Sequence, residues 1–343
     1  MHIPDGYLSP QTYLPLYGIT IPILAMAARR VKQTLRSRQA PYLALGAAFS
    51  FVIMMFNIPA PGGTSGHAVG AALVAILLGP WAACLAVSIA LIIQALFFGD
   101  GGITALGANC LNMAVVMPFA GYYSYRLIAG STPLTSKLRV LAGAVAGYLA
   151  LNLAALYTAI QFGIQPLLAS GADGRPLYAP YPLTVAVPAM ALEHLLLFGF
   201  LEAAVTALVI GYAQRTDPAL LAMDRPDCPD TPGTLTGLWW GLGLLALLSP
   251  LGIIMPAFTG AGPAWGEWGP EELQKMLGYL PSGLKSTSEA WRAPLPNYAP
   301  ASWDGAGLPL QALAYLLSAV AGIALAVAFV RLFGRYLAAR GSK

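Results

Sequence analysis

The stretch AALVAILLGPWAACLAVSIALIIQALFF (71–98) carries no charged side chain, and it is interrupted at Gly79-Pro80-Trp81. A helix needs about 20 apolar residues to cross a hydrocarbon core. The part after the break, 81–98, meets that length, whereas the part before it, counted back to His67 as 67–79, is short. Glycine ends a helix readily and proline fits the first turn of the next. The two parts therefore read as a tight helical hairpin, and a chain built around one is an all-α, polytopic membrane protein.

Composition points the same way. Hydrophobic residues make up 57% of the 343 and charged residues 9%, with a mean hydropathy of +0.67. Soluble domains carry about 25% charge. The same length criterion yields membrane segments at 11–30, 40–57, 67–79, 81–98, 105–128, 139–163, 183–213, 234–257 and 309–335. The net charge of +4 is no nucleic-acid footprint, because the basic residues gather at helix ends on one side. With the N-terminus outside and the C-terminus inside, fourteen of the eighteen Lys and Arg face inward: Arg29, Arg30, Lys32, Arg36, Arg38, Arg126, Lys137, Arg139, Arg215, Arg225, Arg331, Arg335, Arg340 and Lys343. Arg175, Lys275, Lys285 and Arg292 face out, and the excess of inner positive charge sets this orientation. Cys84, Cys110 and Cys228 have no ligand-like or paired spacing, and the two in apolar stretches, Cys84 and Cys110, read as small buried thiols.

Two modules are expected. Residues 1–213 form a seven-helix unit, the charged and Pro-rich stretch 214–233 reads as a cytoplasmic linker, and 234–343 supply two more helices around an outer loop, 258–308. That loop holds four of the seven tryptophans, including those of WGEWGPEEL (265–273). They suit either anchoring at the membrane interface or docking on the first module or a partner.

The chain starts MHIPDGYLSP, with no basic n-region and a Pro-Asp-Gly turn in place of an apolar run, so it does not resemble a secretory signal. His2 is one of three histidines, with His67 in PAPGGTSGHAVG and His194 in ALEHLLLFGFLE. A free Met1 amine, the His2 backbone nitrogen and the His2 imidazole can close a five-membered and a six-membered chelate ring on one ion. The set is planar and leaves a position that His67, on the same face, can fill. Four nitrogens in a square suit Ni(II) or Cu(II), with Co(II) also able to use them, whereas Zn(II) prefers a tetrahedron. The bland alternative is a frayed terminus with an idle histidine. Pro4-Asp5-Gly6 argues for insertion, and Gly62-Gly63 would let another backbone approach closely.

These motifs, MHIPDGYLS with NIPAPGGTSGHAVGAALVAILLGPW (57–81) and GDGGITALGANCLNMA (99–114), resemble the CbiM/NikM family, the substrate-capture subunits of nickel/cobalt energy-coupling-factor transporters. The resemblance covers residues 1–213, and it implies that Met1, His2 and His67 are the metal ligands. It also implies Ni(II) or Co(II) as transported substrate with no catalytic cofactor. The implied partners are a transmembrane coupling subunit and two cytoplasmic ATPases in the prokaryotic inner membrane. The chain itself contains no G-x-x-x-x-G-K-[ST] motif and is not expected to be an enzyme. Residues 234–335 resemble the two-helix CbiN/NikN component in fused form.

Other polar residues admit two readings each. Asn57, taken to end the second helix, and Asn109 and Asn112, after the GDGG turn, either support the ligands or cap and cross-link helices. Asp100 is either a turn cap or a charge that balances the site. Thr64 and Ser65 are expected to cap the third helix, with Ser65 close enough to support His67. Glu193, His194 and Glu202 are costly inside a membrane. Spacing puts Glu193 and His194 on different faces and lets His194 and Glu202 share one. They fit an interhelical network, a surface for the coupling subunits or a metal path. A rival function is a rhomboid-like intramembrane serine protease using Ser65 and His194, which requires a serine–imidazole hydrogen bond.

Overall fold

The computed structural model describes residues 1–34, 40–224, 235–303 and 305–339. Arg36, Arg38, Arg225, Cys228, Arg340 and Lys343 lie outside the described residues. Helix α1, Pro10–Thr34, opens on a proline in its first turn, where the missing N–H costs nothing. Helix α2, Ala40–Met54, is apolar on every side and buried over most of its length, as a helix in the middle of a bundle must be. A short antiparallel hairpin follows, β1 (Ile58–Ala60) against β2 (Thr64–Gly66).

The decisive hairpin forms as α3 (Ala71–Leu78) and α4 (Pro80–Ile93), with α4 running on through a π turn, Gln94–Phe98. Gly79 takes φ 83° between them, a left-handed conformation that any Cβ would oppose. The segment expected at 67–79 is helical over only eight residues. At 1.5 Å per residue these rise about 12 Å, so α3 is a largely buried half-helix, too short to cross a membrane alone.

Helix α5 (Leu106–Asn109), a π turn (Cys110–Val116) and α6 (Met117–Ala129) make one rod. Helix α7 (Lys137–Gly163) starts on Ser136, whose Oγ accepts the Leu138 N–H at 3.2 Å. Short α8 (Gln165–Leu168) leads into a loop, then α9 (Leu183–Glu193) passes through a π turn (His194–Phe198) into α10 (Gly199–Thr216). Ala142, Ala146, Ala150 and Ala154 form a fully buried ladder along α7, and it is small residues of this kind that let membrane helices approach closely. The stretch read as a linker begins as packed structure instead. A 3₁₀ turn, Pro218–Ala222, buries Leu220 and Leu221 because they complete the apolar cluster around Leu73, Tyr125 and Ile210.

The second module contributes α11 (Thr236–Leu248) and α12 (Leu251–Thr259), broken at Ser249-Pro250, then α13 (Pro270–Leu277), α14 (Ser282–Thr287) and α15 (Leu308–Ala339). Helix α15 packs along α2 and α4, and the Tyr315 hydroxyl donates to the Met55 carbonyl at 3.2 Å. By length and composition, six helical stretches among the described residues suit a membrane crossing: Pro10–Gln33, Pro80–Phe98, Lys137–Leu168, Leu183–Thr216, Thr236–Thr259 and Leu308–Gly334. The all-α, multi-pass architecture is therefore present.

Four connecting segments meet at one end of the bundle. Gly102 N–H donates to Ile3 O at 2.8 Å, Ala179 N–H to Tyr7 O at 3.0 Å, Leu284 N–H to Leu177 O at 3.1 Å and Leu295 N–H to Phe97 O at 3.0 Å. Three of the four tryptophans of the long loop dock there. Trp265 packs against Tyr181 at 4.8 Å between ring centres, Trp268 against Tyr181 at 5.8 Å, and the Trp291 indole donates to Leu96 O at 2.8 Å.

Candidate metal centre

The N-terminal segment is threaded into the protein. Met1, His2 and Ile3 are 5%, 2% and 0% exposed. Such burial requires partners for the backbone, and Asn109 supplies them: its Oδ1 accepts Ile3 N–H at 2.8 Å and its Nδ2 donates to Ile3 O at 3.1 Å. The Pro4-Asp5-Gly6 turn brings the Asp5 carboxylate onto the Thr104 N–H (2.7 Å), the Thr104 hydroxyl (2.6 Å) and the Ile103 N–H (3.1 Å). Gly102 lies so close to Pro4 and Asp5 that a Cβ there would collide with their backbone.

His2 and His67 come together with ring centres 5.0 Å apart. His2 Nδ1 lies 3.1 Å from Asp100 Oδ1, and Gln94 Nε2 and the Tyr298 hydroxyl both donate to Asp100 Oδ2. His67 Nδ1 faces the Ala68 carbonyl at 3.1 Å. A carbonyl can only accept, so Nδ1 carries the proton and Nε2 keeps its lone pair. The Nε2 atoms of both histidines are buried without a hydrogen-bond partner among the described residues. Burial, reinforced by the Met1 ammonium and the His2 ring, holds the His67 imidazole well below its ordinary pKa and keeps it a neutral donor. The Met1 ammonium is 3.0 Å from Glu267 Oε1.

The loop that carries His67 is clamped from both ends. Gly63 O accepts Gly262 N–H at 2.7 Å, but a Cβ on Gly62 or Gly63 would meet open space, so these glycines serve the positive φ of the turn (94° and 80°) and not the close backbone approach expected of them. Glu202 accepts Val69 N–H at 2.8 Å and Gly70 N–H at 3.0 Å. A fully buried carboxylate thereby satisfies orphan donors at the start of α3 and meets the positive end of its dipole. Glu202, and neither Thr64 nor Ser65, caps this helix. Those two lie in β2, and the Ser65 hydroxyl donates to Gly262 O at 3.1 Å.

The remaining candidates are elsewhere. Asn57 lies beyond the end of α2 at Met54, and no hydrogen bond joins it to Met1, His2 or His67 among the described residues. Asn112 pairs with Gln161 (2.8 and 2.9 Å) and donates to Thr158 at 3.1 Å, a cross-link to α7. His194 Nδ1 faces Met190 O at 2.8 Å and lies 3.6 Å from Glu193 Oε1, so these neighbours do meet. Among the described residues no hydrogen bond joins Ser65 to His194, as the protease reading requires: the Ser65 hydroxyl donates to Gly262 O and His194 Nδ1 faces Met190 O. Cys84 and Cys110 are buried free thiols.

Glu267 and Tyr298 are the contacts that local pattern does not disclose. Tyr298 is buried, with its ring stacked on Phe98 at 4.9 Å. Burial first, then the Asp100 charge, pushes its hydroxyl pKa well up, so it remains a donor. Asn297 and Tyr298 take φ 53° and 65°, a strained pair of left-handed residues held at the site. The strain is visible only once the loop is folded, although Glu267 stands in the WGEWG motif already singled out.

Among the described residues no cluster of three or more His, Cys, Asp or Glu side chains could hold a metal. A centre here depends on the terminal nitrogens joining the two histidines. Residues 2–220 match the CbiM family model, described as the cobalt uptake substrate-specific transmembrane region. The fused nickel transport protein NikMN of Rhodobacter capsulatus is 49% identical over 97% of this chain and 96% of its own length. The probable fused nickel transport protein LarMN of Lactiplantibacillus plantarum is 43% identical over 96% and 97%. The crystal structure of a truncated transition metal transporter is 51% identical, covers 63% of this chain and 99% of its own, and has a TM-score of 0.59. The chain belongs to the CbiM family, in the form that carries a NikN-like module fused behind the family region.

Proposed function

We propose that this protein is the substrate-capture subunit of an energy-coupling-factor transporter and binds Ni(II) or Co(II) from the outer side for ATP-driven import. The observation that carries the reading is a pair of buried imidazoles 5.0 Å apart, with His67 Nε2 unpartnered among the described residues, beside a buried N-terminal amine. In this reading the ligands are the Met1 amine, the His2 backbone and ring nitrogens, and His67 Nε2. The six-membered chelate ring runs through His2 Nδ1. The proton now facing Asp100 gives way to the ion, and the carboxylate is left beside the cation. Nitrogen-only, planar coordination favours Ni(II) over ions that prefer tetrahedra.

The direction of binding is supported by charge. The site lies among the four segments that meet at one end, and of the eighteen Lys and Arg only Arg175, Lys275, Lys285 and Arg292 belong to those segments. That end is the outer one, with the N-terminus outside and the C-terminus inside. The first module is 1–213 and the NikN-like module 234–343. A transmembrane coupling subunit and two cytoplasmic ATPases supply the energy, and the complex resides in the inner membrane of a prokaryote.

The test is metal binding to the full chain with a free Met1 amine, followed by calorimetry and metal analysis. One Ni(II) or Co(II) per chain is expected, lost on His67→Ala and lost when two residues are added ahead of Met1. Full-affinity, stoichiometric binding by the extended protein would refute the chelate.

A further inference from the structure

The second module reaches the proposed ligand set directly. Glu267 lies in its outer loop, 266 positions along the chain from Met1, yet its carboxylate is the hydrogen-bonded counter-ion of the Met1 amine. The loop is fixed there by independent contacts. Tyr7 donates to Trp268 O at 2.7 Å, and Trp265 packs on Phe162 at 6.1 Å. Glu267 is partly exposed, with 20% of its side chain accessible, whereas the Met1 amine end is buried. Two other carboxylates face this region: Asp100, engaged by His2, Gln94 and Tyr298, and Glu193, beside His194 on α9.

Glu267 has a role that packing alone does not require. A divalent ion held through one deprotonated backbone amide would bring net positive charge into a poorly hydrated site, and a carboxylate fixed 3.0 Å from the ligand amine lies beside that charge. We infer that Glu267 of the NikN-like module is the counter-charge of the metal centre, so that the second module completes the first module's site. This inference rests on the ligand set proposed above.

The experiment titrates the intact chain with Ni(II) alone, comparing wild type, Glu267→Gln, Glu267→Asp and His67→Ala. Glutamine has the same shape and can still accept from the amine, so a purely structural contact would survive it. Loss of the charge is expected to weaken Ni(II) binding about tenfold, and Glu267→Asp should recover part of that loss. Cu(II), used as a spectroscopic probe, should give the same d–d band position in Glu267→Gln as in wild type, because the ligands are unchanged. Wild-type Ni(II) affinity in Glu267→Gln, with His67→Ala inactive, overturns the counter-charge and leaves the ligand set standing. Wild-type binding by His67→Ala overturns the ligand set itself.

Discussion

His2 Nδ1 lies 3.1 Å from Asp100 Oδ1, and Asp100 is in turn held by Gln94 and by Tyr298, 198 positions further along the chain. A carboxylate in this position fixes the ring and leaves negative charge next to a captured cation. Asp100→Ala removes that charge and should weaken Ni(II) binding about tenfold, because in the proposed chelate Nδ1 itself is the ligand and the carboxylate acts on the cation electrostatically. Asp100→Asn should fall between the variant and wild type. Calorimetry on folded protein reads both, and unchanged affinity in Asp100→Ala would exclude a supporting role.

Gly102 is where two backbones meet. Its N–H donates to Ile3 O at 2.8 Å, and a Cβ would run into Pro4 and Asp5. Gly102→Ala should push the N-terminal segment out and abolish metal binding while helix content stays at the wild-type level. Circular dichroism and metal analysis on the same sample test this, and retained stoichiometric binding would count against an inserted terminus.

Glu202 satisfies the two backbone donors just before α3, Val69 and Gly70, close behind His67. Glu202→Ala leaves both buried N–H groups unpaired, at about 1–3 kcal/mol each. The expected result is a lower unfolding temperature in detergent together with weaker Ni(II) binding. Glu202→Gln, which keeps one carbonyl acceptor, should lose less of both. A variant that loses stability but binds metal as tightly as wild type would separate the cap from the site.

Acid should destabilise the metal-free protein through His67. Burial depresses its folded pKa below the unfolded value of about 6.5, so below that pH the unfolded chain binds a proton that the folded chain refuses. Stability is therefore highest above the unfolded value and falls as pH drops toward the depressed folded one. Thermal unfolding at pH 7.5 and pH 5 should show a larger loss in wild type than in His67→Gln. Equal losses would mean that His67 does not titrate on unfolding.

Much of the architecture follows from local pattern. Long apolar runs define the membrane helices, because any helix in lipid must satisfy its backbone internally and present apolar side chains. Gly79-Pro80 marks the hairpin for the same local reason. The reading failed where a short helix needed an external cap. Thr64 and Ser65 have suitable chemistry, yet the cap comes from Glu202, more than 130 positions away. The tryptophans of WGEWGPEEL were ambiguous for a related reason: an aromatic suits an interface and a docking surface equally, and only its neighbours distinguish them.

The sequence by itself determined an all-α membrane protein, because the length of an apolar run is a local property, and it offered Met1, His2 and His67 as candidate ligands through the chelating chemistry of a Met-His terminus and the family resemblance of its motifs. The tertiary structure decided what surrounds them. Glu267 on the Met1 amine, Tyr298 behind Asp100 and Glu202 behind His67 are contacts between distant segments, chosen because a buried charge or unpaired N–H is costly wherever the fold creates it. No local rule encodes which distant residue will meet that need.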